Sequence, residues 1–251
     1  AVLFVFGLGR KLFDEEVGLI SAGILASSLL VIGESHIAKT DAVLFACVAA
    51  AQLLIAEFFL AARQGAPQPK VRYSALLGLA IGIGILVKGP MILFFVGLTV
   101  IAVSIWERRW GWIMSMRPIF ALGIIILINV PWLVAIGLVT KGAYFTEALG
   151  QDFLGKAMSS QESHWGPPGY YLVSLLVGFW PGWLFLAPGI VYGIARSREG
   201  AVRFLLSWII PAWIILELAP TKLPHYPLPI YPALALLCGA AVMAGVRESR
   251  S

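Results

Sequence analysis

The sequence predicts an all-α fold, a polytopic bundle of transmembrane helices, and three observations support this prediction. Hydrophobic residues make up 60% of the 251 residues and charged residues 12%, whereas a soluble domain has roughly 25% charged residues. Apolar runs of roughly helix-spanning length recur along the whole chain between short charged breaks. The Lys and Arg residues divide unevenly between alternate breaks, as they do in loops on the two sides of a membrane.

The apolar runs predict about eight or nine spans. In chain order they are 1–9, 17–33, 42–61, 74–87, 91–106, 118–138, 169–192, 202–218 and 228–246. The first run is too short to cross a bilayer, so we expect the chain to be a fragment that begins partway through a helix. The fourth and fifth runs meet at Lys88-Gly89-Pro90, which indicates a tight turn, and a single kinked helix is the alternative.

The basic residues predict which breaks face the cytoplasm. Five lie in the breaks assigned to one side: Lys39, Lys88, Lys141, Lys156 and Lys222. The other 13 of the 18 Lys and Arg residues lie on the opposite side, which is therefore predicted to be cytoplasmic. All three histidines, His36, His164 and His225, fall on the outer side, so we expect the chemistry there.

Composition argues against several other classes of function. A net charge of +5 is explained by cytoplasmic Lys and Arg facing anionic lipid, so no nucleic-acid partner is expected. Cys47 and Cys238 lie inside apolar runs, without the spacing of a disulfide framework or a metal site.

Two short motifs lie where predicted spans meet the outer side. In Lys39-Thr40-Asp41 the acid stands at the start of the run 42–61. A helix N-terminus stabilises an anion by about 0.3–1 kcal/mol, so Asp41 is either a helix-terminal charge or part of a mixed-charge site. Lys88 precedes Gly89-Pro90, and its mobile ammonium either suits a phosphate or anchors the helix at the interface.

A third motif, 221–232, contains four prolines, which preclude a regular helix. Irregular backbone at membrane depth is tolerated where it is buried in protein or lines a cavity. We therefore predict a cavity wall bearing Lys222, His225 and Tyr226, with a stiff surface turn as the alternative. Glu217 is either an interfacial carboxylate or a partner of Lys222.

The longest polar interval, 139–168, predicts the main outer loop. His164 follows Glu162 by two residues, which makes it a weak candidate for binding a metal or moving a proton. Trp165 and Tyr170 stand near the end of this interval, where aromatic residues either form an interfacial belt or line a site.

Taken together, these motifs resemble those of the GT-C membrane glycosyltransferases, especially the lipid A aminoarabinose transferases and the bacterial protein-O-mannosyltransferase-like group. In order they are Lys39-Thr40-Asp41-Ala42, Lys88-Gly89, Pro131-Trp132, His164-Trp165-Gly166-Pro167-Pro168 with Tyr170-Tyr171, Phe179-Trp180-Pro181-Gly182-Trp183 and Lys222-Leu223-Pro224-His225-Tyr226. The set spans almost the whole chain. The resemblance implies one GT-C-like transmembrane domain over 1–251 and places the family's first periplasmic loop, with its acidic Asp-Glu motif, upstream of Ala1.

The resemblance also implies an activity and a location. It implies an enzyme that moves a monosaccharide from a polyprenyl-phosphate carrier, such as undecaprenyl phosphate, to a lipid A-like glycolipid, another glycan or a protein. The protein would be a multi-pass component of the bacterial inner membrane with its active face toward the periplasm. Which sugar is moved, and whether a divalent metal takes part, stay open.

The same resemblance also implies functional roles for the residues on the outer side. Asp41 would be the catalytic acid at the cavity edge, and the donor phosphate would be bound by Lys88, Lys222 and Lys39. The residues expected around the cavity and acceptor are His225, Tyr226, His164, Trp165 and Tyr170.

Two rival functions stay open from the residues. A secondary transporter or channel for an anionic solute would also use outer cations, although such proteins tend to have midplane sites and two similar halves. The ionisable residues here cluster at one face and no repeat is visible. A membrane scaffold or flippase partner is the other alternative.

Overall fold

The computed structural model describes residues 1–37, 39–144 and 166–249. Within them the helices are α1 (Val2–Leu12), α2 (Glu15–Ala26), α3 (Leu29–His36), α4 (Thr40–Gln64), α5 (Val71–Lys88), α6 (Met91–Glu107), α7 (Trp112–Ser115), α8 (Pro118–Val139), α9 (Tyr170–Gly178), α10 (Leu186–Ala195), α11 (Gly200–Leu218) and α12 (Tyr231–Glu248). Short 3-10 turns, Gly182–Phe185 and Leu228–Ile230, precede α10 and α12. The described residues contain no strand, which confirms the all-α prediction for them.

The span count is lower than the predicted eight or nine. Among the described residues, five helices are long and apolar enough to cross a membrane, namely α4, α5, α8, α11 and α12 with its preceding turn. The count rises to seven if each of two bent helix pairs is one span. Every predicted run coincides with a helix or a bent pair, but α6 has 17 residues and so reaches only about 25 Å, less than the roughly 30 Å of hydrocarbon.

Helices α4 and α12 form the centre of the bundle. Their most apolar windows are 61% and 72% buried, against 11% for α8 at the edge. Helix α4 packs on α1, α5 and α6, and α12 packs on α2, α10 and α11. Small residues permit the close approach: a Cβ on Gly239 of α12 would lie 2.2 Å from the Ser21 hydroxyl of α2.

Two predicted spans are broken, and their breaks meet. The run 17–33 bends by 63° between α2 and α3, and the run 169–192 bends by 113° after α9. Ser28 Oγ donates to the Gly178 carbonyl at 2.8 Å, and the Leu29 backbone N–H donates to the Trp180 carbonyl at 3.0 Å. Each break thus supplies hydrogen-bond partners to backbone groups of the other. Backbone polar groups need such partners where water is absent.

Helices α5 and α6 form a hairpin, so the alternative of one kinked helix is wrong. Gly89 has a positive φ of 61°, a conformation that glycine adopts without steric cost. A Cβ on Gly84 would lie 2.5 Å from a methyl group of Ile92, whereas eight residues of continuous helix would separate these positions by about 12 Å. The turn places Lys88 at the mouth of the hairpin.

The charged helix ends gather into two groups. The Lys88 end is formed by Asp41, Lys88, Lys222 and His225; the Glu107 end is formed by Lys11, Arg63, Glu107 and Arg203. Helix α4 runs from one group to the other, and its residues from Asp41 to Arg63 span about 33 Å. The predicted partition of these basic residues is therefore reproduced, and the assignment of the Lys88 end to the outer side stays a prediction.

Candidate active site

A cavity of about 630 Å³ lies at the Lys88 end. Its wall is formed by the beginning of α4, the end of α5, the beginning of α6, part of α8 and the segment 225–229. The polar residues on this wall are Asp41, Lys88, Asn129, Tyr144, His225 and Tyr226. Apolar side chains, including Leu44, Phe95, Trp132 and Leu133, supply much of the rest. Such a cavity suits a ligand with a polar head and an apolar body.

The Lys88 ammonium forms an ion pair with the Asp41 carboxylate on the cavity wall. Lys88 is the last residue of α5, and Asp41 lies in the first turn of α4, so the packing of α4 on α5 brings the two predicted motifs together. Their side chains are 25% and 12% exposed. Partial burial strengthens this pair relative to one in bulk water, and an ammonium has two further protons to donate into the cavity.

His225 stands on the other side of Asp41. Its Nε2 lies 3.8 Å from Asp41 Oδ2, and its ring meets the Tyr226 ring edge-on with 5.3 Å between centroids. Burial lowers the pKa of His225 below its ordinary value of 6.5, and the nearby Asp41 and Glu34 carboxylates partly oppose that effect. His225 and Tyr226 therefore lie where the sequence predicts them, on a cavity wall.

Glu34 lies next to His225 and is not among the site residues predicted from the sequence. The residue is 6% exposed, and its Oε1 lies 4.0 Å from His225 Nδ1. Its Oε2 has no hydrogen-bond partner among the described residues. A carboxylate directly after an apolar run is itself a signal, because acids near membrane depth mark functional sites by default.

Asn129 is a second lining residue that the sequence reading omits. Its side-chain nitrogen donates to the carbonyls of Gly82 on α5 and Ile125 on its own helix, at 3.1 and 2.9 Å. This leaves its side-chain oxygen as the remaining acceptor. A lone Asn in the apolar run 118–138 is the signal that sequence analysis could have used.

Lys222 lies outside the cavity lining and is buried, with 2% of its side chain exposed. Its Nζ donates to the Glu217 carbonyl at 2.5 Å and lies 3.4 Å from Glu217 Oε2. The Glu217 carboxylate also accepts from the backbone N–H groups of Gly169 and Tyr171, at 3.1 and 3.2 Å. The partnership with Lys222 is therefore the reading of Glu217 that the structure supports, and phosphate binding by Lys222 stays a prediction.

The remaining predicted site residues lie apart from the cavity or outside the described residues. Lys39 is exposed and does not contribute to the described part of the lining. Tyr170 packs edge-on against Tyr171, with 5.3 Å between ring centroids, and likewise lies away from that lining. His164 and Trp165, with most of the predicted loop 139–168, lie outside the described residues.

No group of three or more His, Cys, Asp or Glu side chains in the described ranges is arranged to hold a metal ion. Glu34, Asp41 and His225 approach one another as a row, with contacts of 3.8 and 4.0 Å between neighbours. Whether a divalent metal takes part therefore stays open.

Comparison with known proteins finds one family and several relatives. Residues 1–142 match the family described as dolichyl-phosphate-mannose-protein mannosyltransferase. An undecaprenyl phosphate-alpha-4-amino-4-deoxy-L-arabinose arabinosyl transferase from Edwardsiella ictaluri is 31% identical over 248 residues, covering 96% of this chain and 43% of that protein. The protein of the same name from Erwinia tasmaniensis is 30% identical, with coverages of 94% and 42%. The chain thus spans less than half the length of these relatives.

Two solved structures show the same arrangement of helices. ArnT from Cupriavidus metallidurans bound to undecaprenyl phosphate superposes with a TM-score of 0.84 at 19% identity, covering 96% of this chain and 43% of that chain. The archaeal oligosaccharyltransferase AglB from Archaeoglobus fulgidus, in complex with an inhibitory peptide and a dolichol-phosphate, gives 0.60 at 14% identity, with coverages of 99% and 38%. At these identities the likeness shows the fold alone.

Proposed function

Because this chain belongs to the dolichyl-phosphate-mannose-protein mannosyltransferase family, we propose that it forms part of a membrane glycosyltransferase that uses a polyprenyl-phosphate-linked monosaccharide. The acceptor would be a lipid A-like glycolipid, another glycan or a protein. The names of the relatives favour undecaprenyl phosphate as carrier and an aminoarabinose as the sugar. In this proposal the protein lies in the bacterial inner membrane with the Lys88 end toward the periplasm.

The observation that carries the proposal is the Lys88–Asp41 ion pair on the wall of the 630 Å³ cavity. The ammonium is held at the interface end of a largely apolar space, where the phosphate of a lipid would sit with its chain along the helices. A charge-assisted contact to phosphate is roughly twice as strong as a neutral hydrogen bond. The cavity therefore offers the head-and-tail recognition that a polyprenyl phosphate needs.

The proposed reaction forms a bond between an acceptor oxygen and C1 of the sugar while the bond from C1 to the phosphate oxygen breaks. An acceptor hydroxyl gives up its proton to a carboxylate base in this step, whereas an acceptor phosphate is already ionised. The electron pair of the broken bond stays on the phosphate, so negative charge grows there in the transition state. A cation already in place stabilises that developing charge without reorganisation. Lys88 supplies this cation, and no proton has to be donated to the leaving group.

Asp41 then acts mainly through Lys88. Its carboxylate fixes where the ammonium stands, which makes it a positioning residue in this proposal. The expectation that Asp41 is itself catalytic stays a prediction. His225 and Tyr226 complete the polar side of the cavity, and Asn129 faces them from α8. The transporter alternative is not favoured, because the family and the relatives named above are glycosyltransferases.

A binding experiment tests the proposal most directly. Undecaprenyl phosphate is titrated into the full-length polypeptide in nanodiscs, with Lys88→Met as the test variant. Lys11→Met is the matched control, because Lys11 also forms an ion pair with a glutamate, Glu57, at 2.8 Å but at the Glu107 end. We expect at least a tenfold loss of affinity in Lys88→Met and no change in Lys11→Met. Equal affinity in all three proteins would contradict the proposal.

A further inference from the structure

Four ionisable side chains form a row beside the cavity: Lys88, Asp41, His225 and Glu34. Asp41 uses one carboxylate oxygen for Lys88, and its other oxygen lies 3.8 Å from His225 Nε2. On the opposite edge of the ring, Nδ1 lies 4.0 Å from Glu34 Oε1. The imidazole therefore stands between two carboxylates, one on each of its nitrogen atoms.

A neutral imidazole cannot satisfy both carboxylates. It has one N–H group, so its other nitrogen presents a lone pair to a carboxylate oxygen. The protonated ring presents an N–H group toward each carboxylate, so the contacts of 3.8 and 4.0 Å to Asp41 and Glu34 both become ion pairs. Glu34 Oε2 also has no hydrogen-bond partner among the described residues, although Glu34 is 94% buried by its 6% exposure. A positive His225 therefore has a counter-charge beside each ring nitrogen.

Burial and two lysines lower the pKa of His225 in the unliganded protein and so favour the neutral ring. Burial is the largest effect that lowers the pKa of His225, and the charges of Lys88 and Lys39 lower it further. Asp41 and Glu34 act in the opposite direction. Within the described residues, the charged groups with the largest effects on the ring are these four, and Tyr226 meets the ring edge-on. A ligand that neutralises Lys88 removes one of the effects that keep the proton off.

We infer that His225 takes up a proton when a lipid phosphate binds to Lys88, and that Asp41 and Glu34 hold the resulting imidazolium. This inference rests on the proposed function. The phosphate turns the Lys88 charge toward itself, so Asp41 loses part of its counter-charge. A proton from solvent then binds the lone pair of the imidazole. The His225 imidazolium thereby replaces, beside the carboxylates, the positive charge of Lys88 that the phosphate has engaged. With that charge in place, the two carboxylates do not repel the incoming anion.

The pH dependence of proton uptake is set by the change in the pKa of His225 on binding. The pKa of His225 is lowered in the free protein and rises on binding, so proton uptake is largest between the two values. Uptake disappears well above the higher value, because His225 is then neutral in both states. It also disappears well below the lower value, because His225 is then charged in both states. Binding of the lipid phosphate should therefore tighten as pH falls through this window.

Calorimetry measures this proton directly. Undecaprenyl phosphate is titrated into the full-length polypeptide in nanodiscs at a fixed pH near 6.5, in buffers of different ionisation enthalpy. The slope of binding enthalpy against buffer enthalpy gives the number of protons taken up. A phosphate monoester titrates near pH 6 itself, so the quantity of interest is the difference between the wild type and His225→Gln. We expect a difference of several tenths of a proton.

Two further variants separate the role of His225 from a general effect. His36→Gln is the matched control, because His36 is exposed and its Nδ1 contacts the Ile32 carbonyl at 2.8 Å rather than a carboxylate. We expect wild-type uptake in this variant. Glu34→Gln removes one of the two carboxylates and should reduce uptake while lipid still binds. It also keeps the test available if His225→Gln fails to fold.

The outcomes distinguish this inference from the proposed function. Uptake that is reduced in both His225→Gln and Glu34→Gln and unchanged in His36→Gln would support the inference. Equal uptake in the wild type and in His225→Gln or Glu34→Gln would overturn it, even where Lys88→Met shows that lipid phosphate binds at Lys88. A wild type that binds no undecaprenyl phosphate would overturn the proposed function and this inference together.

Discussion

The two ends of α4 have ion pairs of the same chemical kind in different surroundings. At the Glu107 end, Glu107 binds Arg63 and Arg203, and both guanidinium groups also donate to the Arg198 carbonyl. At the Lys88 end, one ammonium binds one carboxylate, faces the 630 Å³ cavity and has two further donors.

We expect this difference to separate an ion pair that holds helices together from one that binds a ligand. At the Glu107 end, Arg63 and Arg203 share the Glu107 carboxylate and the Arg198 carbonyl, and the cavity that Arg63 and Glu107 line is smaller, about 290 Å³. At the Lys88 end, the row of Lys88, Asp41, His225 and Glu34 contains one ammonium and two carboxylates, and His225 stands between the carboxylates. The comparison therefore predicts that the ammonium donors facing the larger cavity, rather than the presence of an ion pair, distinguish the ligand site.

The largest expected effect concerns sugar transfer. Lys88→Met should lower kcat/KM by about 100-fold, the usual effect of removing one donor to a developing oxyanion. Lys11→Met should leave transfer unchanged, because its ion pair with Glu57 lies at the other end of α4. Transfer is measured on membranes containing the full-length polypeptide. Similar losses in both variants would remove the distinction between the two ends.

The next effect concerns stability. Glu107→Ala leaves Arg63 and Arg203 without their shared carboxylate, which is 14% exposed. The cost should be about 2 kcal/mol, between the values for exposed and buried pairs. Glu199→Ala is the control, because Glu199 is half exposed and forms an i,i+3 pair with Arg196. Thermal unfolding in detergent should show a lower midpoint for Glu107→Ala, with undecaprenyl phosphate affinity retained.

A smaller effect is expected from Asp41→Asn. The amide keeps the shape of the side chain but no longer fixes the Lys88 ammonium by charge, so KM for the donor should rise about tenfold, equivalent to about 1.4 kcal/mol. Glu57→Gln is the equivalent change at the Lys11 pair and should leave KM unchanged. A loss confined to kcat would indicate instead that Asp41 takes part in proton transfer.

The smallest effect is expected at an exposed pair. Arg247 binds Asp14 at 2.7 Å and Glu16 at 2.9 Å, with more than half of its side chain exposed, so Arg247→Ala should lower the unfolding midpoint less than any other variant named here. The Val17 backbone N–H and Arg247 hold the pKa of Asp14 below its ordinary value. This contribution is therefore complete above the ordinary pKa of 3.8 and is lost as pH falls through the lowered value. The difference in unfolding midpoint between wild type and variant should shrink below pH 4.

Sequence analysis locates most of the candidate site because its motifs stand at helix ends. Asp41 begins α4, Lys88 ends α5, and His225 and Tyr226 follow α11. Alternate spans return to the same side of a membrane, so residues at those ends must share one surface. Glu34 and Asn129 are missed for the opposite reason: each looks like a single polar residue at the edge of, or within, an apolar run.

What the sequence by itself determined is therefore the class of fold, the position of nearly every helix and the location of Lys88, Asp41 and His225 at one end of the bundle. The length of each apolar run and the charge of the segments between runs are local properties of the sequence. A lipid environment makes them decisive for which segments become spanning helices. Tertiary structure alone decided that Lys88 faces a cavity while Lys222 turns into the protein, and that the breaks of two spans bond to each other. It also decided that Glu34 meets His225. These outcomes depend on which helices pack together, because that packing sets the distances between residues far apart in the sequence.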